Sequence, residues 1–220
     1  MCPAPQEGGG GSVADIDAQE RLDYLARAFD REIGDIDTWS WTWGGIYTAA
    51  AVVQGALIPG APNHGQQVDL VVGTGSAAFG ALALTLLPLQ LTLPLRSARG
   101  HWGDPDRCAT LARAERALFR AEKDQALATG ILGHVGNVVV NAGLALLLGL
   151  GYGRWSSAAL NGGIGLAVGE TNAFTQPHHL ADVVERYRSG RFDLRSPRLS
   201  WAVAPVLSTG MAGLELRARW

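Results

Sequence analysis

From Asp15 to about Asp37, Leu22, Leu25, Phe29, Ile33 and Ile36 recur three and four positions apart with Arg, Asp and Glu between them. This spacing predicts an amphipathic helix with one apolar face. Beyond Asp37 the next charge is Asp69, and WSWTWGGIYTAAAVVQGALI, Trp39 to Ile58, fills the interval. Its length is roughly the 20 residues that one helix needs to cross a hydrocarbon layer about 30 Å thick. Trp39, Trp41, Trp43 and Tyr47 crowd its beginning, where amphipathic rings favour a membrane–water boundary. A second uncharged block runs from Leu70 to Leu95 and a third from Gln125 to Gly153. A fourth, WSSAALNGGIGLAVGE from Trp155, is shorter, interrupted by Asn161 and closed near Glu170. The expected hydrophobic helices are near 39–58, 69–92, 125–152 and 155–172, antiparallel within the first and second pairs because their connections are short.

Breakers and polar segments set the rest. Pro88 and Pro94 are expected to end or kink the second block near Leu87. Asp104 followed by Pro105 predicts the start of a charged amphipathic helix. With no breaker before Thr129, it is expected to run directly into the third span. Pro177 opens another short helix, HHLADVVERYRS, closed by Gly190. The last residues change period: Leu199, Trp201 and Val203 alternate with small polar or alanine positions, as do Leu214, Leu216, Ala218 and Trp220 with charged ones. They read as a β-hairpin. The expected fold is therefore mainly α: a four-helix hydrophobic, transmembrane bundle with amphipathic flanking helices and a C-terminal β-hairpin. Residues 1–14 form a flexible tether, 15–198 the helical membrane domain and 199–220 the hairpin cap.

The third block decides the solvent. Over its 29 residues only Gln, Thr, His134, Asn137 and Asn141 break an apolar run, which is a thin polar face for water. On a helix the three-then-four spacing of His134, Asn137 and Asn141 puts them on one side, with leucines around the other. That seam suits a membrane bundle, where amides and imidazoles hydrogen-bond between helices and leucines face lipid. The competing reading is a helix buried in a large soluble bundle. Rows of small residues, Gly73, Ala77 and Ala81 in the second block and Ala158, Gly162 and Gly165 in the fourth, are compatible with close helix approach.

Net charge is −2, and no basic stripe interleaves with aromatics, so nucleic acid is not an expected partner. The two cysteines, Cys2 and Cys108, offer no metal spacing and no disulfide framework. They pair only if the chain between them folds back. A second reading makes Cys2 a lipidation site, because CPAPQEGGGGS resembles the start of a mature bacterial lipoprotein whose leader has been removed; the plain alternative is an unstructured end.

The stretch YGRWSSAALNGGIGLAVGETNAFTQP, Tyr152 to Pro177, resembles a group of uncharacterised helical membrane proteins of myxobacteria and related proteobacteria. There a similar Gly-Arg-Trp, Gly-x-x-x-Gly-Glu and Thr-Gln-Pro series follows an apolar helix, and an earlier aromatic stretch is similar to WSWTWGGIYTAAAVVQG. The resemblance implies a bacterial envelope setting and no particular activity.

Gln54, His134, Asn137, Asn141, Asn161 and Glu170 are the candidate intramembrane polar seam, since ionisable and amide groups in apolar spans face protein or water. Glu170 heads that set; its plain alternative is a solvated carboxylate at the interface. His178 and His179 are adjacent and so point about 100° apart on a helix, a poor metal pair. GTGSAAFG, Gly73 to Gly80, lacks the lysine of a phosphate loop. No metal, cofactor or catalytic motif is expected, and an enzyme is not the expected class. Two functions are: a structural or assembly protein of the envelope, or a small oligomeric transporter or channel using the seam. The expected partners are the lipid bilayer and a homo-oligomer or other envelope proteins. Of 18 basic residues, all but Arg154 fall on the side holding both termini, which favours an inner membrane with cytoplasmic termini. Lipidation of Cys2 would reverse that sidedness and favour a periplasm-facing or outer-membrane lipoprotein.

Overall fold

The computed structural model describes the backbone of residues 2–3, 13–192, 200–208 and 211–219, and the side chains of these except 87–89 and 200–219. The chain is mainly helical: α1 Ala18–Leu57, α2 His64–Gly100, α3 Arg107–Thr129, α4 Ile131–Leu146, α5 Trp155–Thr175 and α6 Leu180–Arg188. A 3-10 turn, Ile58–Gly60, follows α1, and a π-helical turn, Leu147–Gly151, ends α4. Strands β1 Ser200–Ser208 and β2 Met211–Arg219 pair antiparallel. The cap role expected of 199–220 depends on side chains outside the described residues. Of the expected tether, 4–12 also lies outside them.

Four boundaries differ from expectation. The amphipathic segment and the first apolar block form one helix, α1, 40 residues long and capped where the Asp17 carboxylate accepts from the Gln19 amide at 2.8 Å. The prolines do not stop α2, which continues to Gly100. Pro88 has no N–H to give the Leu84 carbonyl, and that carbonyl accepts instead from the Ser40 hydroxyl at 2.9 Å. In contrast, α3 does not run into the third block: Gly130 adopts an extended conformation (ψ −176°) and α4 begins afresh at Ile131. The α3 cap is Asp106, whose carboxylate accepts from the Ala109 amide at 2.9 Å, rather than Asp104.

The chain forms two compact units. Unit 1 comprises Met1–Trp39, Pro88–Ala126 and Pro177–Trp220; unit 2 comprises Ser40–Leu87 and Leu127–Gln176. Unit 1 has a closed core in which Leu25, Phe29, Leu95, Leu118, Leu180 and Tyr187 are fully buried. Along it, Arg96 and Arg99 of α2 pair with Asp37 and Asp30 of α1, an antiparallel register. A disulfide joins Cys2 to Cys108, with Cα atoms 5.3 Å apart. This pairing corrects the lipidation of Cys2: a sulfur held in a disulfide has no valence left for a thioether to lipid. Closing a sequence separation of 106 residues restricts the unfolded chain by about 4–5 kcal/mol in the chain-entropy account.

Unit 2 is organised differently. α1 and α2 pack antiparallel with Tyr47 against Gly80 and Gln54 against Gly73. α4 and α5 do the same, with Ala145 against Gly162. Trp43 on α1 donates its indole N–H to the Thr175 hydroxyl on α5 at 2.9 Å, and Val68, Leu148 and Ala158 form a small buried cluster. Two helices, His64–Gly100 and Ile131–Gly151, are long and apolar enough to cross a membrane. The expected first and fourth spans fall short of that measure because Trp, Thr and Gly dilute one and Asn161, Glu170 and Asn172 the other.

Two changes probe the core of unit 1. Leu118→Ala empties a fully buried site and is expected to cost about 2–5 kcal/mol; opening the Cys2–Cys108 bridge with a thiol reductant is expected to lower the denaturant midpoint as well. Chemical denaturation of the detergent-solubilised chain, followed by the fluorescence of Trp102 and its fellow tryptophans, measures both.

Candidate functional site: a polar seam between α4 and α5

α4 carries His134, Asn137 and Asn141 on the side that meets α5, as their spacing requires. Glu170, in the last two turns of α5, receives two of them. The His134 Nδ1 lies 2.6 Å from Glu170 Oε2, and the Asn137 Nδ2 donates to Glu170 Oε1 at 2.8 Å. Asn137 also reaches the Leu166 carbonyl at 3.2 Å. Asn141 extends the chain, donating to the Asn137 Oδ1 at 2.7 Å and to its carbonyl at 2.9 Å. The Phe174 ring lies against His134, with centroids 5.1 Å apart.

Glycine makes this approach sterically feasible. A Cβ at Gly169 would collide with the Asn137 amide and one at Gly165 with the Asn141 amide. The Gly-x-x-x-Gly spacing on α5 therefore receives the two amides of α4, which sit one helical turn apart, much as small residues admit close approach between membrane helices. Chemically the seam is a hydrogen-bonded clamp containing one carboxylate and one imidazole, with side-chain exposures of 27% for Glu170 and 33% for His134.

The structure does not bring the whole expected set together. Gln54 packs against Gly73 in the α1–α2 pair, and Asn161 donates to the Ser157 carbonyl one turn back on its own helix, at 2.9 Å. Neither joins the α4–α5 seam, because an isolated amide in an apolar run shows that a partner is needed and not which helix supplies it.

Two further polar clusters escaped the sequence reading. At the start of α5, Arg154 forks onto Asp69 of α2, with Nε to Oδ1 at 2.9 Å, and the Ser157 hydroxyl donates to Asp69 Oδ2 at 2.9 Å. Gly153, at φ +66°, supplies the left-handed turn that leads into Arg154. In unit 1, Arg21 of α1, Glu115 of α3 and Tyr187 of α6 meet in the core: the guanidinium pairs with the Glu115 carboxylate and donates through Nε to the Tyr187 hydroxyl at 3.0 Å, while that hydroxyl donates to Glu115. Arg21 is fully buried. Burial, reinforced by the neighbouring Glu115 carboxylate, pushes the Tyr187 phenol far up. These partners lie 94 and 72 residues apart, so only the Arg and Glu positions facing inward on amphipathic helices hinted at them.

Three outcomes test these clusters. Glu115→Ala leaves Arg21 buried without its anion and is expected to cost about 3–5 kcal/mol of unit 1 stability. Because the Tyr187 phenol holds its proton more tightly when folded, its contribution is complete below about pH 10 and is lost as pH rises beyond that; Tyr187→Phe is expected to flatten that alkaline decline in a stability–pH series. Gly169→Leu is expected to separate α4 from α5, read as loss of the crosslink between cysteines introduced at Ala145 and Gly162. Comparison of the chain with protein-family models, curated proteins and solved structures finds no match.

Proposed function

We propose that the protein is an integral membrane protein of a bacterial envelope with a structural or assembly role, in which unit 2 takes hydrocarbon as its solvent and unit 1 takes water. The distribution of exposed apolar side chains carries this reading. Of the large hydrophobic residues exposed among those described, all but Leu93 belong to unit 2, including Val53, Phe79, Leu82, Val139, Leu150 and Leu160. Exposed apolar side chains concentrated in one unit mark a surface that meets lipid or a partner rather than water.

Chain tracing supports a four-helix transmembrane bundle even though, among the described residues, only two helices qualify as spans on composition. Unit 1 is built from three separate segments of the chain, and as one folded body it occupies one side of a membrane. Each excursion between those segments, Ser40–Leu87 and Leu127–Gln176, therefore crosses an even number of times. If α2 crosses, the Trp39–Ile58 part of the chain crosses with it; if α4 crosses, α5 returns. α4 with its π turn covers Ile131–Gly151, 21 residues, or about 31 Å at the helical rise. Tyr152 and Trp155 flank Arg154 and are more than half exposed, the side-chain chemistry of an interfacial belt. The resemblance to the myxobacterial group agrees with an envelope setting, and lipid is the principal partner, with a second copy or another envelope protein as the object of assembly.

The ionisable pair in the α4–α5 seam favours a second reading, a small oligomeric transporter or channel. The two readings separate in proteoliposomes: a structural protein gives ion flux no greater than empty vesicles, whereas a flux carried by the wild type and abolished in Glu170→Gln would establish transport. The membrane assignment itself predicts that the chain stays in the membrane pellet after alkaline carbonate washing; release into the supernatant would contradict it.

A further inference from the structure

We infer that unit 1 matures in an oxidising compartment, so that Cys2, α3 and α6 lie outside the cytoplasm, and that a thiol–disulfide oxidoreductase is a maturation partner of this chain. This rests on the membrane reading for its sidedness, but not for its redox chemistry.

The Cys2–Cys108 bridge is integrated with the core of unit 1. Cys2 is only 9% exposed and belongs to the same buried cluster as Leu22, Leu25 and Leu111. The next residue is held too: the Pro3 carbonyl accepts from the buried Arg21 guanidinium, at 3.4 and 3.5 Å. The segment at residues 2–3 is thus fixed by one covalent bond to α3 and by contact with the Arg21–Glu115–Tyr187 cluster. Structural disulfides persist in the periplasm and outside the cell and are kept reduced in the cytosol. Cys108 stands in the first turn of α3 and is an exposed residue, so this end of the bridge is at the surface of unit 1. Formation of the bridge removes two electrons and two protons from the Cys2 and Cys108 thiols. The oxidoreductase's own disulfide accepts them through a mixed disulfide and departs as a dithiol.

The arginine count points the other way, since 17 of 18 basic residues lie in segments that this topology exports. Each of these segments is shorter than the roughly 60 residues over which that bias is counted, so the redox requirement of the bridge and the charge bias oppose each other directly, and the side of unit 1 is assigned on the bridge. Four of the unit 1 arginines are engaged in the fold: Arg21, Arg96, Arg99 and Arg113 pair with Glu115, Asp37, Asp30 and Asp104. The remaining basic residue, Arg154, then lies at the cytoplasmic end of unit 2, paired with Asp69.

Two measurements on the full chain in a Gram-negative host test this. In acid-quenched cells, a polyethylene-glycol maleimide is expected to leave the wild-type chain unshifted, and to add two labels after reduction; two labels without reductant would overturn the oxidising assignment. In a Cys2→Ser/Cys108→Ser background, Arg116→Cys in α3 and Pro62→Cys in the α1–α2 connection are treated in spheroplasts with an impermeant maleimide. Labelling of Arg116→Cys, with Pro62→Cys protected until lysis, is expected, and the reverse pattern would overturn the topology. Labelling of both cysteines in intact spheroplasts would overturn the topology and count against the membrane reading itself, leaving the redox result to stand alone. Should the double serine variant fail to fold, the same impermeant reagent applied to reduced wild-type spheroplasts reads the side of Cys108 directly, with labelling expected and protection contradicting the inference.

Discussion

Everything else in this molecule depends on the meeting of Arg21, Glu115 and Tyr187 inside unit 1. Three helices from the beginning, middle and late part of the chain each commit a polar group to a dry core, and none of the three can leave without stranding the others. A buried ion pair contributes little net stability over apolar packing, but breaking it by removing one partner is costly. What it enforces is coincidence. Segments separated by long apolar excursions are held as one body, with the Cys2–Cys108 bridge as a covalent reinforcement.

From that closure follows the behaviour of the excursions. Chain that departs from a closed, water-compatible unit and returns to it must do so in hairpins, and both excursions are helical hairpins with antiparallel register. Where the hairpins pack, only a few leucines such as Leu84 and Leu148 are buried; most of the contacts are glycine admitting amides and a hydroxyl or indole finding its partner. Asn137 and Asn141 against Gly169 and Gly165, Gln54 against Gly73, and Trp43 to Thr175 are all of this type. The Arg154–Asp69 fork ties α2 to the start of α5 by charge in the same way.

Much of this was legible in the sequence, and the failures share a cause. The four apolar blocks, the amphipathic starts, the short α6 and the seam residues on α4 are properties of a single helix, which spacing reports directly. Pairing is a property of two helices, and spacing is silent on it. So Glu170 was recognisable as needing a partner, and His134 and Asn137 as offering one, whereas Gln54 and Asn161 could not be assigned to the α1–α2 pair and to α5's own backbone. The prolines of α2 misled for a related reason: the lost hydrogen bond at Leu84 is made good by Ser40 on another helix. The break at Gly130 went unseen because a single glycine in an apolar run has no polar neighbours to announce a helix end. Cys2 was ambiguous because a linear pattern cannot show that a chain turns back across 106 residues.

The central claim is that both excursions are immersed in lipid over all their helices, including the two that composition alone does not mark as spans. Spin labels at Val53 on α1 and Leu160 on α5, both strongly exposed, test it most directly in reconstituted bilayers, with Arg116 on α3 as the aqueous reference. The account predicts that the two apolar sites collide frequently with oxygen and rarely with a water-soluble nickel chelate, and that Arg116 shows the opposite preference. Nickel accessibility at Val53 or Leu160 equal to that at Arg116 would contradict it.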